Sequence, residues 1–167
     1  MKIIPIASGL LLTLTTALHA DIIINTQIPK PISEIIQEAS DQYTIIPIEI
    51  RRHIAERCAS VKFLYAITQE NTGYSDGREN NTESFNHQVG IYFYVQLSQD
   101  RLNQRLIEGE ELSEELIKNT GNSVFNRVLE TTDRYRNRIA SGETAISDSL
   151  VNGDSETCTG LFFSQTG

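Results

Sequence analysis

Across 167 residues the chain carries 22 acidic and 14 basic side chains, a net charge of −8. That balance argues against nucleic acid and against an anionic membrane surface as partners, and leaves a basic protein partner open. The length is that of one domain with a core of its own.

The first predicted element is a leader. Lys2 precedes an apolar run from Ile3 to Ala17, and the segment closes on "ALHA". A charged start, an apolar middle and a small residue at the cut are the anatomy of a secretory signal peptide, with cleavage expected after Ala20 and Ala17 as the alternative. The apolar run of about 15 residues is shorter than the roughly 20 that a membrane span requires. No cysteine precedes Cys58, so the cut end offers no thiol for acylation, and no later apolar run is long enough to span a bilayer. The expected organisation is a signal peptide over 1–20 and a single exported domain over 21–167, with an N-terminal arm at 21–43 and a helical core at 44–167. Loss of Lys2 makes the mature chain one unit more negative.

The arm, "DIIINTQIPKPISEIIQEASDQY", opens as an extended run. Lys30 between two prolines favours extended backbone, and Ser33 is then placed to cap a short helix to about Ser40. A long helix is predicted from about Thr44 to Gln69. Pro47 fits a first turn and Glu49 suits the positive end of the helix dipole. Ile50, Ile54, Cys58, Val61 and Tyr65 step by four, four, three and four, a helical stripe with Cys58 at its centre. Phe63 and Ile67 lie on the other side, so the second half is apolar most of the way round and should sit centrally in a bundle. Arg51, Arg52 and Arg57 fall at its polar and boundary positions.

The Gly-, Asn- and Asp-rich stretch from Asn71 to Glu83 reads as a loop and carries a formal glycosylation sequon at Asn80. Two periods compete in the next segment. Val89, Ile91, Phe93, Val95 and Leu97 alternate as in a strand, whereas Ile91, Val95, Leu102 and Leu106 fit one helix face that "DRLNQRLIE" continues. The helix is preferred. The alternative is an α+β fold with a hairpin from about 61–68 and 88–97. Gly109 ends this element. Ser113 caps the next, with Glu114 and Glu115 in its first turn. That helix should run to about Ala140 on a stripe of Ile117, Gly121, Val124, Val128, Tyr135 and Ile139, with "TGN" at 120–122 a point of weakness and Gly142 the stop. Two short pieces follow, around 144–151 and 154–163, the second capped by Asp154 and carrying Cys158.

Export would put Cys58 and Cys158 in an oxidising space, where an even pair normally forms a disulfide. Closing a loop of about 100 residues would stabilise by roughly 4–5 kcal/mol on the chain-entropy model. A zinc site wants about four ligands at short spacings. Here only His53 and His87 accompany the cysteines in the mature chain, and no local motif pairs either with a thiol. No metal or cofactor is expected, and no catalytic residue is assigned. The acidic run Glu108–Glu115 fits solvation and helix capping better than a pair of carboxylates facing each other across a cleft. Arg127, Arg134 and Arg138 share one helix face, with Glu130 at ion-pairing distance in sequence. They are the candidate interface residues, either for an anionic group or as the rim of a contact. Tyr65, Tyr92, Phe93 and Tyr94 form an aromatic cluster in sequence that suits core packing or interface anchoring.

The predicted fold is therefore all-α, a small helical bundle with an extended N-terminal arm and one disulfide. The predicted function is non-catalytic: an exported, periplasmic or secreted protein that binds or inhibits another envelope protein. In its leader, size and helix-borne cysteines the chain resembles, in general architecture, periplasmic immunity proteins that neutralise secreted wall-degrading effectors. Two rivals are an envelope hydrolase using His53 or His87 with a carboxylate, and a structural protein that binds the cell wall.

Overall fold

The computed structural model describes residues 30–71, 79–139, 145 and 147–166. Over these the chain forms five helices and no strand: α1 (Ile32–Gln42), α2 (Ile48–Asn71), α3 (Glu79–Ile107), α4 (Glu114–Arg138) and α5 (Ser149–Thr166). The leader, the extended run of the arm and the stop at Gly142 lie outside the described residues.

Helix α2 is the axis of the bundle and packs against each of the other four. Its predicted stripe of Ile50, Ile54, Cys58, Val61 and Tyr65 is buried along its whole length, and Ala59, Leu64 and Ala66 extend that burial round the helix. The short helix expected within the arm is present as α1, reaching Gln42 rather than Ser40, and its Ile32, Ile35 and Ala39 enter the core against α2 and α5.

The segment 88–97 is helical, and burial shows why the two periods were hard to separate. Val89, Phe93 and Leu97 are buried, while Ile91 and Val95, which the sequence put on the helix's apolar face, are exposed, so the core face is the other one. Positions four apart belong to both a strand alternation and a helical stripe. The helix sends the intervening residues outward, so no hairpin with 61–68 forms. Gly90 lies against the Phe63 ring of α2, since a Cβ there would come within 2.8 Å of it.

Helix α3 ends in a Schellman turn. Gly109 has a φ of 96°, its N–H donates to the Leu106 carbonyl at 3.1 Å, and the Glu110 N–H donates to the Arg105 carbonyl at 3.1 Å. Ser113 then starts α4, its Oγ accepting from the Leu116 N–H at 3.1 Å. The helix passes through 120–122 without a break. Its buried face is Leu116, Thr120, Val124, Val128, Thr131, Thr132 and Tyr135; Ile117, placed on the core stripe by sequence, is exposed.

The two short pieces expected at the C-terminus are one helix, α5. Its cap is Asp148, whose Oδ1 accepts from the Leu150 and Val151 N–H groups at 2.9 and 3.0 Å. Asp154, expected as a cap, sits mid-helix. It does cap a helix, but a different one: its Oδ1 takes the Ile32 N–H at the start of α1, at 2.7 Å. Ser33 does not serve as that cap; Pro31 holds the position, without a side-chain hydrogen bond. Cys58 and Cys158 form a disulfide between the middles of α2 and α5, with Cα atoms 5.4 Å apart.

Candidate functional site

Three polar assemblies lie along α2. The deepest is centred on Arg57, which the sequence placed at a boundary and the structure places fully inside. Its Nη2 pairs with Asp154 Oδ2, its Nε donates to Tyr135 Oη at 2.9 Å, and its Nη1 donates to the Lys30 carbonyl at 2.9 Å. Tyr135 in turn donates to Asp154 Oδ2. Burial, followed by the balance of Arg57 and Asp154, pushes the Tyr135 phenol far above its ordinary pKa, so it stays a donor. Every charge in this group is matched, as a buried ion pair requires, and the group ties α1, α2, α4 and α5 together. It offers no open face to a ligand.

The second is Lys62, buried between α2, α3 and α5. Its Nζ lies 2.7 Å from Thr159 Oγ1, 2.9 Å from Ser155 Oγ and 3.1 Å from Asn86 Oδ1. These partners are neutral oxygens, and burial lowers the Lys62 pKa to about 8. Once deprotonated, above about pH 8, the Lys62 amine beside the Ser155 hydroxyl would have the elements of a base and its nucleophile. Ser155, however, is itself buried within α5.

The third opens to solvent. A concavity of about 250 Å³ between α3 and α4 is lined by Arg101, Gln104 and Arg105 from one side and Ser123 and Arg127 from the other, with Glu108 also on its lining. Arg105 forms a fork to Glu110, Nε to Oε1 at 2.6 Å and Nη2 to Oε2 at 2.8 Å, and its Nη1 reaches Thr120 Oγ1 at 3.3 Å. Arg127 reaches across to α2, its Nε and Nη2 lying 2.9 and 2.7 Å from Glu56 Oε2. Behind the wall Arg52 is buried, donating to Gln104 Oε1 at 2.5 Å and the Asp100 carbonyl at 2.8 Å.

Helix α4 also presents an apolar ridge. Ile117, Phe125 and Leu129, with Gly121 among them, step by four along the helix and are 49, 47 and 45% exposed. Tyr94 of α3 meets this ridge. Its ring stands edge-on to Phe125 with centroids 6.5 Å apart, and its hydroxyl donates to the Gly121 carbonyl at 3.2 Å. A larger apolar groove of about 520 Å³ runs between α1, α2, α3 and the end of α5, past Ile36, Ile54, Phe93 and Leu161.

Set against family models, curated proteins and solved structures, the chain finds no match in any of the three.

The three arginines singled out on α4 do not act together. Arg127 is held by Glu56 rather than by Glu130 on its own helix. Arg138 pairs with Asp148 at 3.1 Å, joining the end of α4 to the cap of α5. Arg134 is exposed, with no ion pair among the described residues. Arg127 meets Arg101 and Arg105 instead. Their spacing of four residues on α3 was a readable signal, but their meeting with α4 required the packing. The acidic run divides its work: Glu108 accepts from Gln104, Glu110 holds Arg105, and Glu114 and Glu115 occupy the first turn of α4. His53 is half-buried beside Arg57, and burial first, then Arg57, lowers its pKa. His87 is exposed and touches the edge of Phe63. The aromatic cluster is dispersed. Tyr92 stands edge-on to both Phe93 and Phe162, Tyr94 goes to α4, and Tyr65 hydrogen-bonds Asn152 at 3.0 Å. Among the described residues no three His, Cys, Asp or Glu side chains converge as metal ligands, and no helix is long and apolar enough to cross a membrane.

Proposed function

We propose that this is an exported, non-catalytic protein that binds or inhibits another protein of the cell envelope, with the outer face of α4 as its contact surface. The observation that carries the reading is the ridge of Ile117, Phe125 and Leu129. Scattered exposed apolar residues are ordinary, but aligned large side chains on one helix resemble the apolar anchors of a protein interface. The leader expected over 1–20 from the sequence and a disulfide between two buried cysteines support an oxidising, exported setting. The acidic net charge favours a basic partner.

The test is capture from envelope extract on immobilised mature protein, beside the Phe125→Glu, Leu129→Glu double variant. One stoichiometric partner retained by the parent and lost by the variant, with unchanged helical circular dichroism, is the expected result. Capture that ignores the double variant removes the ridge as the contact. Sedimentation of the mature protein with purified cell wall, without a protein partner, would replace the reading by a wall-binding role. A hydrolytic activity abolished by His87→Ala would replace it by an enzyme.

A further inference from the structure

We propose that the concavity between α3 and α4 is a carboxylate-binding site in which Arg101 supplies the guanidinium fork. The site is separate from the apolar ridge and stands or falls independently of it. Two of the three arginines on the lining are already neutralised, Arg105 by Glu110 and Arg127 by Glu56. Arg101 is half-buried and has no hydrogen bond or ion pair among the described residues. Glu108, the acidic residue of the lining, does not serve it, since its Oε1 takes the Gln104 amide at 2.8 Å.

The surroundings sharpen the demand for an anion. Arg52, buried behind Gln104, donates its terminal nitrogens to neutral oxygens and leaves Nε without a partner. Burial first, then the charges of Arg127 and Arg52, lower the pKa of Arg101, against a smaller opposing pull from Glu56 and Glu49. A partly desolvated guanidinium is worth most when a planar oxyanion meets its fork. Ser123 adds a hydroxyl donor on the opposite wall. A volume of about 250 Å³ suits a carboxylate with a short stem, either a free small acid or an acidic group on a polypeptide.

The experiment follows the arginine Nε–Hε resonances of the mature chain by NMR, titrating sodium acetate against sodium chloride at matched ionic strength. A saturable shift at Arg101 with acetate, absent with chloride, is expected. Arg101→Gln should weaken acetate binding at least tenfold, and Arg134→Gln, an exposed arginine on α4 outside the lining, should leave it unchanged. Should Arg101→Gln fail to fold, Arg101→Lys keeps the charge without the fork and should still weaken binding several-fold. Equal responses to acetate and chloride, or equal losses in the Arg101 and Arg134 variants, overturn the proposal. A blocked glutamate-containing peptide and its glutamine counterpart distinguish the sources. Binding about tenfold tighter than acetate, with the glutamine peptide inert, assigns a protein carboxylate, and binding equal to acetate assigns a free acid. Either result supports the site.

Discussion

Asp154 performs two tasks with two oxygens. Oδ1 starts α1, and Oδ2 receives Arg57 and Tyr135. Asp154→Asn keeps an acceptor for Ile32 but removes the charge that Arg57 is buried against. Breaking one side of a buried pair costs about 3–5 kcal/mol, so the variant should show a urea midpoint lowered by a corresponding amount. Lys62 gives a pH signature. Its pKa is about 8 in the folded chain against 10.5 as the ordinary value. Between those values the unfolded chain holds the proton that the folded chain has released, so stability rises with pH. Tyr65 works the other way. Burial, then Glu156 and Asp148, push its phenol up to about 12, so above about 10 the folded chain keeps a proton the unfolded chain loses, and stability falls. The free energy of unfolding, from denaturant titrations, should therefore climb by roughly 1–2 kcal/mol from pH 8 to about 10 and then decline. Lys62→Met should flatten the climb and leave the decline.

At the scale of the element, three glycines inside helices make opposite forecasts. Gly153 and Gly160 in α5 have open space where a Cβ would stand. Gly153→Ala and Gly160→Ala should each stabilise by about 0.5–1 kcal/mol, read from thermal melts. Gly90→Ala in α3 would set its Cβ against the Phe63 ring and should lose that gain to overpacking, leaving a net destabilisation. The same glycines explain what could be read in advance. The core of α2, the stop at Gly109 and the cap at Ser113 were legible, because period and local capping chemistry both point one way there. Helix α5 was not. Gly153 followed by Asp154 imitates a break and a fresh cap, and nothing local reveals that the carboxylate is used by α1 and α2. The carboxylate pocket was half legible. Arg127 could be noticed on α4, but Arg101 and Arg105 join it through the packing of two helices, which no periodicity within either helix contains.

At the scale of the molecule, the disulfide links helices that already touch. Both sulfurs are sealed from solvent, so alkylation should label neither cysteine in the native protein under reductant until the bundle opens. The paired variant Cys58→Ala, Cys158→Ala should lose about 4 kcal/mol on the chain-entropy model, measured by denaturant unfolding, while keeping its helical circular dichroism. An unchanged midpoint would mean that contact between α2 and α5 alone sets their separation in the unfolded chain.

The bond also turns most of the chain into a covalent ring. All of α3 and α4 lie between Cys58 and Cys158, and α1 lies outside. A protease that nicks the backbone once anywhere within the ring produces two chains that remain one molecule, with the arginine-lined pocket and the apolar ridge both still attached. Such a product would migrate intact on a non-reducing gel and split on a reducing one. In the exported setting proposed above, where peptide bonds are cut and thiols are not restored, the ring would preserve both surfaces after the first cut.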